Sequence, residues 1–267
     1  KPRRVFVCSM GDLFHEDVPF EFIASVFGVM ANSSQNTYMV LTKRPQRMKE
    51  FFDWLSLSAA SYYARDHRTV PYDDDRINVF IMKIASEYGI NLDFMRKWPL
   101  FNVWLGVTAE NQQAADERIP ILLQTPAVIR FVSCEPLLGP IDLSRYKPFD
   151  GECYCQDRPD GCKPRLARGC PETAIDWVIV GGETGPNARP MHPDWIRNLR
   201  DQCQAAGVPF FFKSWGEYKP LRFSSRENGL HTLQEYPGCK YDFVKVGKKE
   251  VGCLLDGRTW DEFPNLN

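Results

Sequence analysis

Three glutamates of this 267-residue chain follow apolar segments at similar spacing, and they are its clearest candidates for chemistry. Glu110, Glu135 and Glu183 each stand within two to four residues of the end of an apolar run. Carboxylates brought together in this way can transfer protons, bind a metal ion or hold an ammonium group. Acidic residues also favour helix N-termini and pair with basic neighbours. Each glutamate could therefore instead cap the following helix or form an ion pair. We take all three as candidate catalytic residues and predict that at least one is functional.

Basic residues follow the same kind of apolar segment. Lys213 comes directly after three phenylalanines, and a lysine that emerges from so apolar a run is generally paired or used, so we predict a catalytic role for it. Lys43, Arg44 and Arg189 could hold a phosphate or a carboxylate, or could instead form solvated ion pairs. The residues predicted to bind a cofactor are Thr42, Lys43, Arg44, Thr108, Asn111, Gly181, Gly182 and Arg189.

Four of the nine cysteines are concentrated in one short segment that is rich in charged residues and poor in core-forming residues. These are Cys153, Cys155, Cys162 and Cys170. Four thiolates can hold a structural zinc ion, which is the simplest prediction for this segment. The spacing lacks the paired C-x2-C arrangement of typical zinc sites. An iron–sulfur cluster with the same ligands, disulfide bonds and four unliganded thiols are the alternatives.

The elements that must position the candidate residues are six short apolar segments, most of them followed by a helical pattern. Alternating strands and helices predict a parallel sheet with right-handed crossovers. Neither a G-x-G-x-x-G motif nor a P-loop is present, which disfavours the common nucleotide-binding open sheets. Functional residues at the ends of several different strands are typical of a (β/α) barrel. We therefore predict an α/β fold: a TIM-like partial (β/α) barrel of about six parallel strands.

Two insertions and a C-terminal region interrupt this rhythm. We predict a barrel-like core over residues 1–216, with a helical insertion at 56–99 and a cysteine-rich insertion at 150–174. Residues 217–267 are predicted to form a small hairpin, with arms at 243–246 and 251–255, and a tail that docks back on the core.

The composition is that of an ordinary globular protein with a net charge of −1. This charge disfavours a generally basic, nucleic-acid-coating surface, although it leaves room for a local basic patch. The sequence has no apolar run of the roughly 20 residues that span a bilayer and no signal-peptide pattern. We therefore expect a cytoplasmic protein. Its oligomeric state is left open.

Long phrases of the sequence resemble the phage Gp37/Gp68 family, also called DUF5131. The resemblance covers nearly the whole chain apart from the two insertions. The phrases are VFVCSMGDLFHEDVP, VLTKRPQRM, VWLGVTAENQ, RFVSCEPLLGPIDL, DWVIVGGETGPNARPMHPDW, PFFFKSWGE and LLDGRTWDEFP.

The family resemblance carries implications for cofactors. Members of the family usually carry, upstream of the first phrase, closely spaced cysteines near an aromatic residue. That segment looks like the three-cysteine motif of radical S-adenosylmethionine enzymes, which use a six-stranded partial (β/α) barrel. The resemblance thus implies S-adenosylmethionine and a [4Fe–4S] cluster as cofactors, with Gly181, Gly182 and Glu183 near the methionyl amino or carboxylate group. Because this chain enters its first strand soon after Lys1, we expect the cluster ligands to lie outside it.

Two functions follow from these observations. The first is a radical-S-adenosylmethionine-like enzyme core that acts on an unidentified substrate, for which the phage association suggests a nucleic acid or nucleotide. The second is a zinc-stabilised nucleic-acid-binding protein without catalytic activity. Its zinc-held loop would contact phosphates through basic residues of the cysteine-rich insertion, namely Arg158, Lys163, Arg165 and Arg168. A barrel that has lost its activity is a third reading.

Overall fold

Six strands form one parallel sheet whose spatial order follows the order of the sequence. In the computed structural model, residues 1–65, 73–146, 174–222, 233–234 and 241–265 are described. The strands are β1 (Arg4–Val7), β2 (Thr37–Thr42), β3 (Val103–Thr108), β4 (Ile129–Cys134), β5 (Trp177–Gly181) and β6 (Phe210–Ser214).

The burial of the strands explains why their sequences lack polar alternation. Every residue of β3 and of β5 is buried, as expected for parallel strands that are covered on both faces. The consecutive strand order, with parallel pairing, is the topology of a (β/α) barrel. The predicted fold class, an α/β chain with a partial barrel of about six parallel strands, is confirmed.

Five helices lie in the described parts of the chain. They are α1 (Phe20–Asn32), α2 (Pro45–Arg65), α3 (Asp73–Glu87), α4 (Gln112–Gln124) and α5 (Pro193–Ala206). Helix α2 continues without a break through residues 56–65, which form the start of the helical insertion predicted at 56–99. The three aspartates at 73–75 form the first turn of α3 rather than a loop, where their charges favour the helix N-terminus.

The chain divides into two compact units, each with its own core. The first comprises residues 1–107 and 120–130, and the second residues 108–119 and 131–267. Phe27 and Phe51 are buried in the first unit with their ring centroids 5.3 Å apart. In the second unit, Phe131 and Phe210 are buried on β4 and β6.

A second, antiparallel sheet lies in the second unit and has the order β7-β9-β8. Its strands are β7 (Tyr218–Arg222), β8 (Leu233–Gln234) and β9 (Tyr241–Lys245). The predicted small C-terminal antiparallel element is present, and its predicted arm at 243–246 overlaps β9. The partners of β9 are β7 and β8 rather than residues 251–255. Pro220 fits in β7 because this strand lies at the edge of the small sheet, where a missing N–H is tolerated.

The C-terminal tail hydrogen-bonds to the outer side of β6. The Phe212 N–H donates to the carbonyl of Trp260 at 2.8 Å, and the Glu262 N–H donates to the carbonyl of Phe210 at 3.3 Å. The indole of Trp177 donates to the Glu262 carbonyl at 2.8 Å. The tail therefore covers the edge of the six-stranded sheet at β6. No helix in the described ranges has the length and apolar character to cross a membrane.

Candidate functional site

In the first unit, Asp12 connects the end of β1 to the end of β2. The Thr42 hydroxyl lies 2.8 and 2.9 Å from the two carboxylate oxygens of Asp12. The backbone N–H of Lys43 donates to the same carboxylate at 3.1 Å, and an Arg44 guanidinium nitrogen lies 3.4 Å from it. Asp12 thus provides the negative charge at the N-terminus of α2, the place where an external anion was expected.

Asp12 was not among the residues predicted to have a catalytic, cofactor-binding or metal-binding role. Its position after the first apolar run, equivalent to that of the three glutamates, was the available signal. The predicted cofactor residues Thr42, Lys43 and Arg44 are brought together in the structure, and Asp12 is their common partner.

In the second unit, Glu110 forms an ion pair with Arg118 of α4 at 2.8 Å. The same guanidinium donates to the backbone carbonyl of Thr108 at 2.7 Å, so that it closes the turn between β3 and α4. The Asn111 side chain accepts a hydrogen bond from Ala114 N–H at 3.0 Å at the start of α4. The carboxylate and guanidinium are only 13% and 19% exposed, so this pair has the character of a structural clamp.

Cys134 lies at the end of β4 and is completely buried. Burial, and secondarily the negative charge of Glu110, raises the pKa of the Cys134 thiol to about 12. Burial and this raised pKa both favour the protonated thiol at neutral pH, which disfavours a role for Cys134 as a nucleophile.

Glu183, which follows β5, forms a bidentate ion pair with Arg189. The guanidinium Nε and Nη2 atoms donate to the two carboxylate oxygens at 2.8 Å each, and the Arg189 backbone N–H donates at 2.8 Å as well. These hydrogen bonds lower the pKa of Glu183, which therefore stays ionised at neutral pH. The pair fixes the loop after β5. The side chain of Glu183 is 23% exposed and that of Arg189 is 55% exposed.

Glu135 and Lys213 form the third pair, and this pair connects two different strands. Lys213 Nζ donates to Glu135 Oε1 at 2.6 Å. The glutamate is 27% exposed and the lysine 55% exposed. Within the described ranges, Glu135 is the one hydrogen-bonding partner of the Lys213 ammonium group. Two N–H donors of Lys213 and one carboxylate oxygen of Glu135 are therefore available to a ligand.

Gly181 allows this pair to form. Glu135 follows β4 and Lys213 belongs to β6. Both strands pair with β5, so the backbones of the two residues are about 10 Å apart and their side chains must span this distance. Gly181 ends β5 between them. A Cβ atom at this position would lie 3.2 Å from both Cγ and Cδ of Glu135, so the glutamate side chain occupies the space that a larger residue would fill.

Gly182 has a different role, because it lies against the backbone rather than a side chain. A Cβ atom at this position would come within 2.1 Å of the Trp215 carbonyl oxygen. The Gly182 N–H donates to the carbonyl of Ser214 at 2.9 Å. This glycine therefore permits close contact between the chain after β5 and the chain after β6.

A β-bulge presents Lys213. Val180 pairs with Phe212, but the next residue, Gly181, pairs with Ser214, so Lys213 is the extra residue on β6. Such bulges redirect a side chain and are frequent beside active sites. A bulge at the end of an apolar run has no sequence signal of its own, so it could not be predicted.

A comparison with protein-family models assigns the whole sequence to one family. Residues 1–264 match DUF5131, described as a protein of unknown function. The chain belongs to the DUF5131 family. No curated protein and no solved structure matches it. The family assignment made from the sequence phrases is thus confirmed, while the match itself carries no information about a reaction.

In this DUF5131 chain, the hydrogen bonds and ion pairs described above involve the candidate residues in four groups. One is centred on Asp12, and the others are the pairs of Glu110, Glu135 and Glu183 with their cations. No set of three or more potential metal-ligating side chains occurs in the described part of the chain. The predicted metal ligands Cys153, Cys155, Cys162 and Cys170 lie outside the described residues, so their zinc site remains a prediction.

Proposed function

We propose that this DUF5131 chain is the core of an enzyme that resembles radical S-adenosylmethionine proteins and contacts its ligand through Glu135 and Lys213. The observation that carries the proposal is the ion pair between these residues, formed across Gly181 at the carboxyl ends of β4, β5 and β6. In (β/α) barrels, this end of the sheet is where active sites lie.

The bonding capacity of the three glutamate pairs favours Glu135 and Lys213 over the others. The guanidinium of Arg118 binds a carbonyl as well as Glu110, and both side chains of that pair are largely buried. Glu183 accepts three hydrogen bonds from Arg189 alone. The Glu135–Lys213 pair has a single hydrogen bond and an exposed ammonium group, so a ligand can approach it with little loss of existing contacts.

The chemistry of the pair indicates what kind of ligand it would hold. A carboxylate beside an ammonium group is complementary to a group that carries both charges on neighbouring atoms. The α-amino acid end of S-adenosylmethionine is such a group: its ammonium would contact Glu135 and its carboxylate would contact Lys213. When bound together with a [4Fe–4S] cluster, S-adenosylmethionine would supply the radical chemistry of that enzyme class.

The donor set of the described residues fits S-adenosylmethionine but supplies no cluster ligands. We therefore assign no reaction step to the cluster. The substrate that we propose is related to nucleic acids or nucleotides, as the family resemblance implies.

Equilibrium binding of S-adenosylmethionine tests the proposal. We expect binding by the wild-type chain, and an approximately tenfold or greater loss of affinity for Lys213→Met and for Glu135→Gln, because each removes a charge-assisted hydrogen bond. Lys49→Met is the matched control, since it removes an exposed lysine–carboxylate contact of 2.7 Å within α2.

Equal affinities for the wild type and both site variants would contradict the proposal. Absence of S-adenosylmethionine binding, combined with salt-dependent binding of DNA or RNA by a zinc-containing protein, would instead favour the zinc-stabilised nucleic-acid-binding function.

A further inference from the structure

Lys213 lies in a part of β6 that is held from both sides. Toward β5, the carbonyl of Ser214 accepts the hydrogen bond from Gly182. On the opposite side, β6 contacts the C-terminal segment, by which we mean residues 252–263. Because a bulged residue is left out of the regular ladder, its direction depends on how its neighbours are fixed.

The C-terminal segment hydrogen-bonds to the backbone immediately before and after Lys213. Before it, the Phe212 N–H donates to the backbone carbonyl of Trp260 at 2.8 Å. After it, the Trp215 N–H donates to the carbonyl of Gly252 at 3.4 Å, and the Trp215 indole donates to the carbonyl of Leu254 at 2.9 Å. The two ends of this segment therefore bracket the bulge.

A tight turn within the segment is anchored on α5. Asp256 and Gly257 both have positive φ, 53° and 83°, and they join the bridge between Leu255 and Arg258, as in a two-residue hairpin turn. Aspartate adopts this conformation more readily than most non-glycine residues, and side-chain contacts give the turn further support.

The support comes from two arginines of α5. The Asp256 carboxylate lies 2.8 Å from a guanidinium nitrogen of Arg197 and 2.5 Å from one of Arg200. These contacts lower the pKa of Asp256, so the anchor is charged at neutral pH.

We propose that the C-terminal segment is a component of the ligand site, because it fixes the β6 bulge in the geometry that directs Lys213 toward Glu135. Trp260 and Asp256 are then positioning residues that act through Lys213. The inference rests on the proposed function in one respect: it takes Lys213 to be a ligand-binding residue. A segment that merely covered the edge of β6 would stabilise the chain without affecting this one lysine.

The test measures the rate at which an amine-specific reagent modifies Lys213 in the folded protein, resolved by peptide mass spectrometry. Glu135→Gln is the reference for a lysine that has lost its partner. Trp260→Ala keeps the backbone carbonyl that accepts from Phe212, but it removes the indole that packs on Phe210 and donates to the Leu255 carbonyl, which loosens the C-terminal segment. We expect it to raise the Lys213 rate by about fivefold, the factor that corresponds to loss of one half-exposed ion pair. We expect the double variant Trp260→Ala/Glu135→Gln to have nearly the same Lys213 modification rate as either single variant, because both substitutions act on the same Glu135–Lys213 contact.

Asp256→Asn provides a milder variant that keeps a residue suited to positive φ while removing the charged anchor. We expect an intermediate increase in the Lys213 rate, and this variant decides the question if Trp260→Ala does not fold. Asp116→Asn is the matched control. It weakens another carboxylate contact of the second unit, with Tyr146 at 2.5 Å, and leaves the C-terminal segment untouched.

Unchanged Lys213 rates in folded Trp260→Ala and Asp256→Asn would overturn the inference. The measurement needs no ligand, so its outcome is separate from that of the proposed function. A changed Lys213 rate without S-adenosylmethionine binding by the wild type would leave the positioning role intact and reject the proposed ligand. If the wild type does bind, Trp260→Ala and Lys213→Met should weaken binding in a non-additive way.

Discussion

The adjacent glycines Gly181, at the end of β5, and Gly182, directly after it, face different neighbours, and this difference separates a role in the ligand site from a role in the fold. A side chain at Gly181 would meet the flexible side chain of Glu135, whereas a side chain at Gly182 would meet the rigid backbone at Trp215. The sequence pattern of two glycines and a glutamate predicts close approach of backbone or ligand, but it cannot tell which glycine serves which purpose.

We predict opposite consequences for alanine at these two positions. Gly181→Ala should change the free energy of unfolding by less than about 1 kcal/mol, because Glu135 can rotate away, but it should disturb the contact with Lys213. Gly182→Ala should cost about 3 kcal/mol, the upper end of overpacking, because a backbone contact at 2.1 Å cannot be relieved by a rotamer change.

Chemical denaturation and the Lys213 modification rate together measure these effects. Gly139→Ala is the control, because its Cβ would meet Asn111 at an ordinary 3.5 Å. A large loss of stability in Gly181→Ala with an unchanged Lys213 rate would contradict the role that we assign to this glycine.

At the scale of elements, one carboxylate joins a strand end to the strand and helix that follow. Asp12 lies after β1. Its carboxylate oxygens accept hydrogen bonds from the hydroxyl of Thr42 at the end of β2 and from the backbone N–H of Lys43. Thr42 is itself buried, so its hydroxyl depends on this partner.

We predict that Asp12→Ala lowers the free energy of unfolding by about 2–3 kcal/mol, because it leaves a buried hydroxyl and a backbone N–H without their acceptor. Asp12→Asn should lose less, since its amide oxygen can still accept. Asp53→Ala, which removes a solvent-exposed partner of Lys49, should stay within about 0.5 kcal/mol of the wild type in the same urea titration. Equal effects of Asp12→Ala and Asp53→Ala would show that Asp12 does not connect these elements.

The six parallel strands and the starts of α2 and α5 could be predicted from the sequence, because continuous apolar runs and helix-initiating prolines have local physical causes. α5 is the clearest case: it begins at Pro193, and Gly207 ends it with the expected positive φ of 63°. The end of α2 is less visible in the sequence, since the serine-rich residues after Leu55 have weak helix propensity, yet α2 continues through them to Arg65.

The partners of the candidate residues could not be predicted, because they are determined by distances across the fold. Nothing local in the sequence joins Glu135 to Lys213, which are 78 positions apart, or Asp256 to α5. The same holds for the small C-terminal sheet: its antiparallel character was predicted, but β9 pairs with β7 and β8 rather than with residues 251–255.

At the scale of the whole molecule, the reactivity of individual cysteines can be used to measure which parts of the chain are buried. Cys8 and Cys253 are exposed, whereas Cys134 and Cys203 are completely buried. The raised pKa of Cys134, at about 12, keeps it in the thiol form and adds to the protection that burial provides.

We therefore predict that a thiol-specific reagent modifies Cys8 and Cys253 in the native protein at pH 8, and modifies Cys134 and Cys203 only when the chain unfolds. Peptide-resolved mass spectrometry with and without urea measures both sets in one sample. Native modification of Cys134 as fast as that of Cys8 would contradict the burial of the β4 end. If the proposed zinc site exists, addition of a strong chelator should make Cys153 and its three predicted co-ligands reactive while Cys134 and Cys203 stay protected, because zinc-bound thiolates are released by metal removal and a buried core is not.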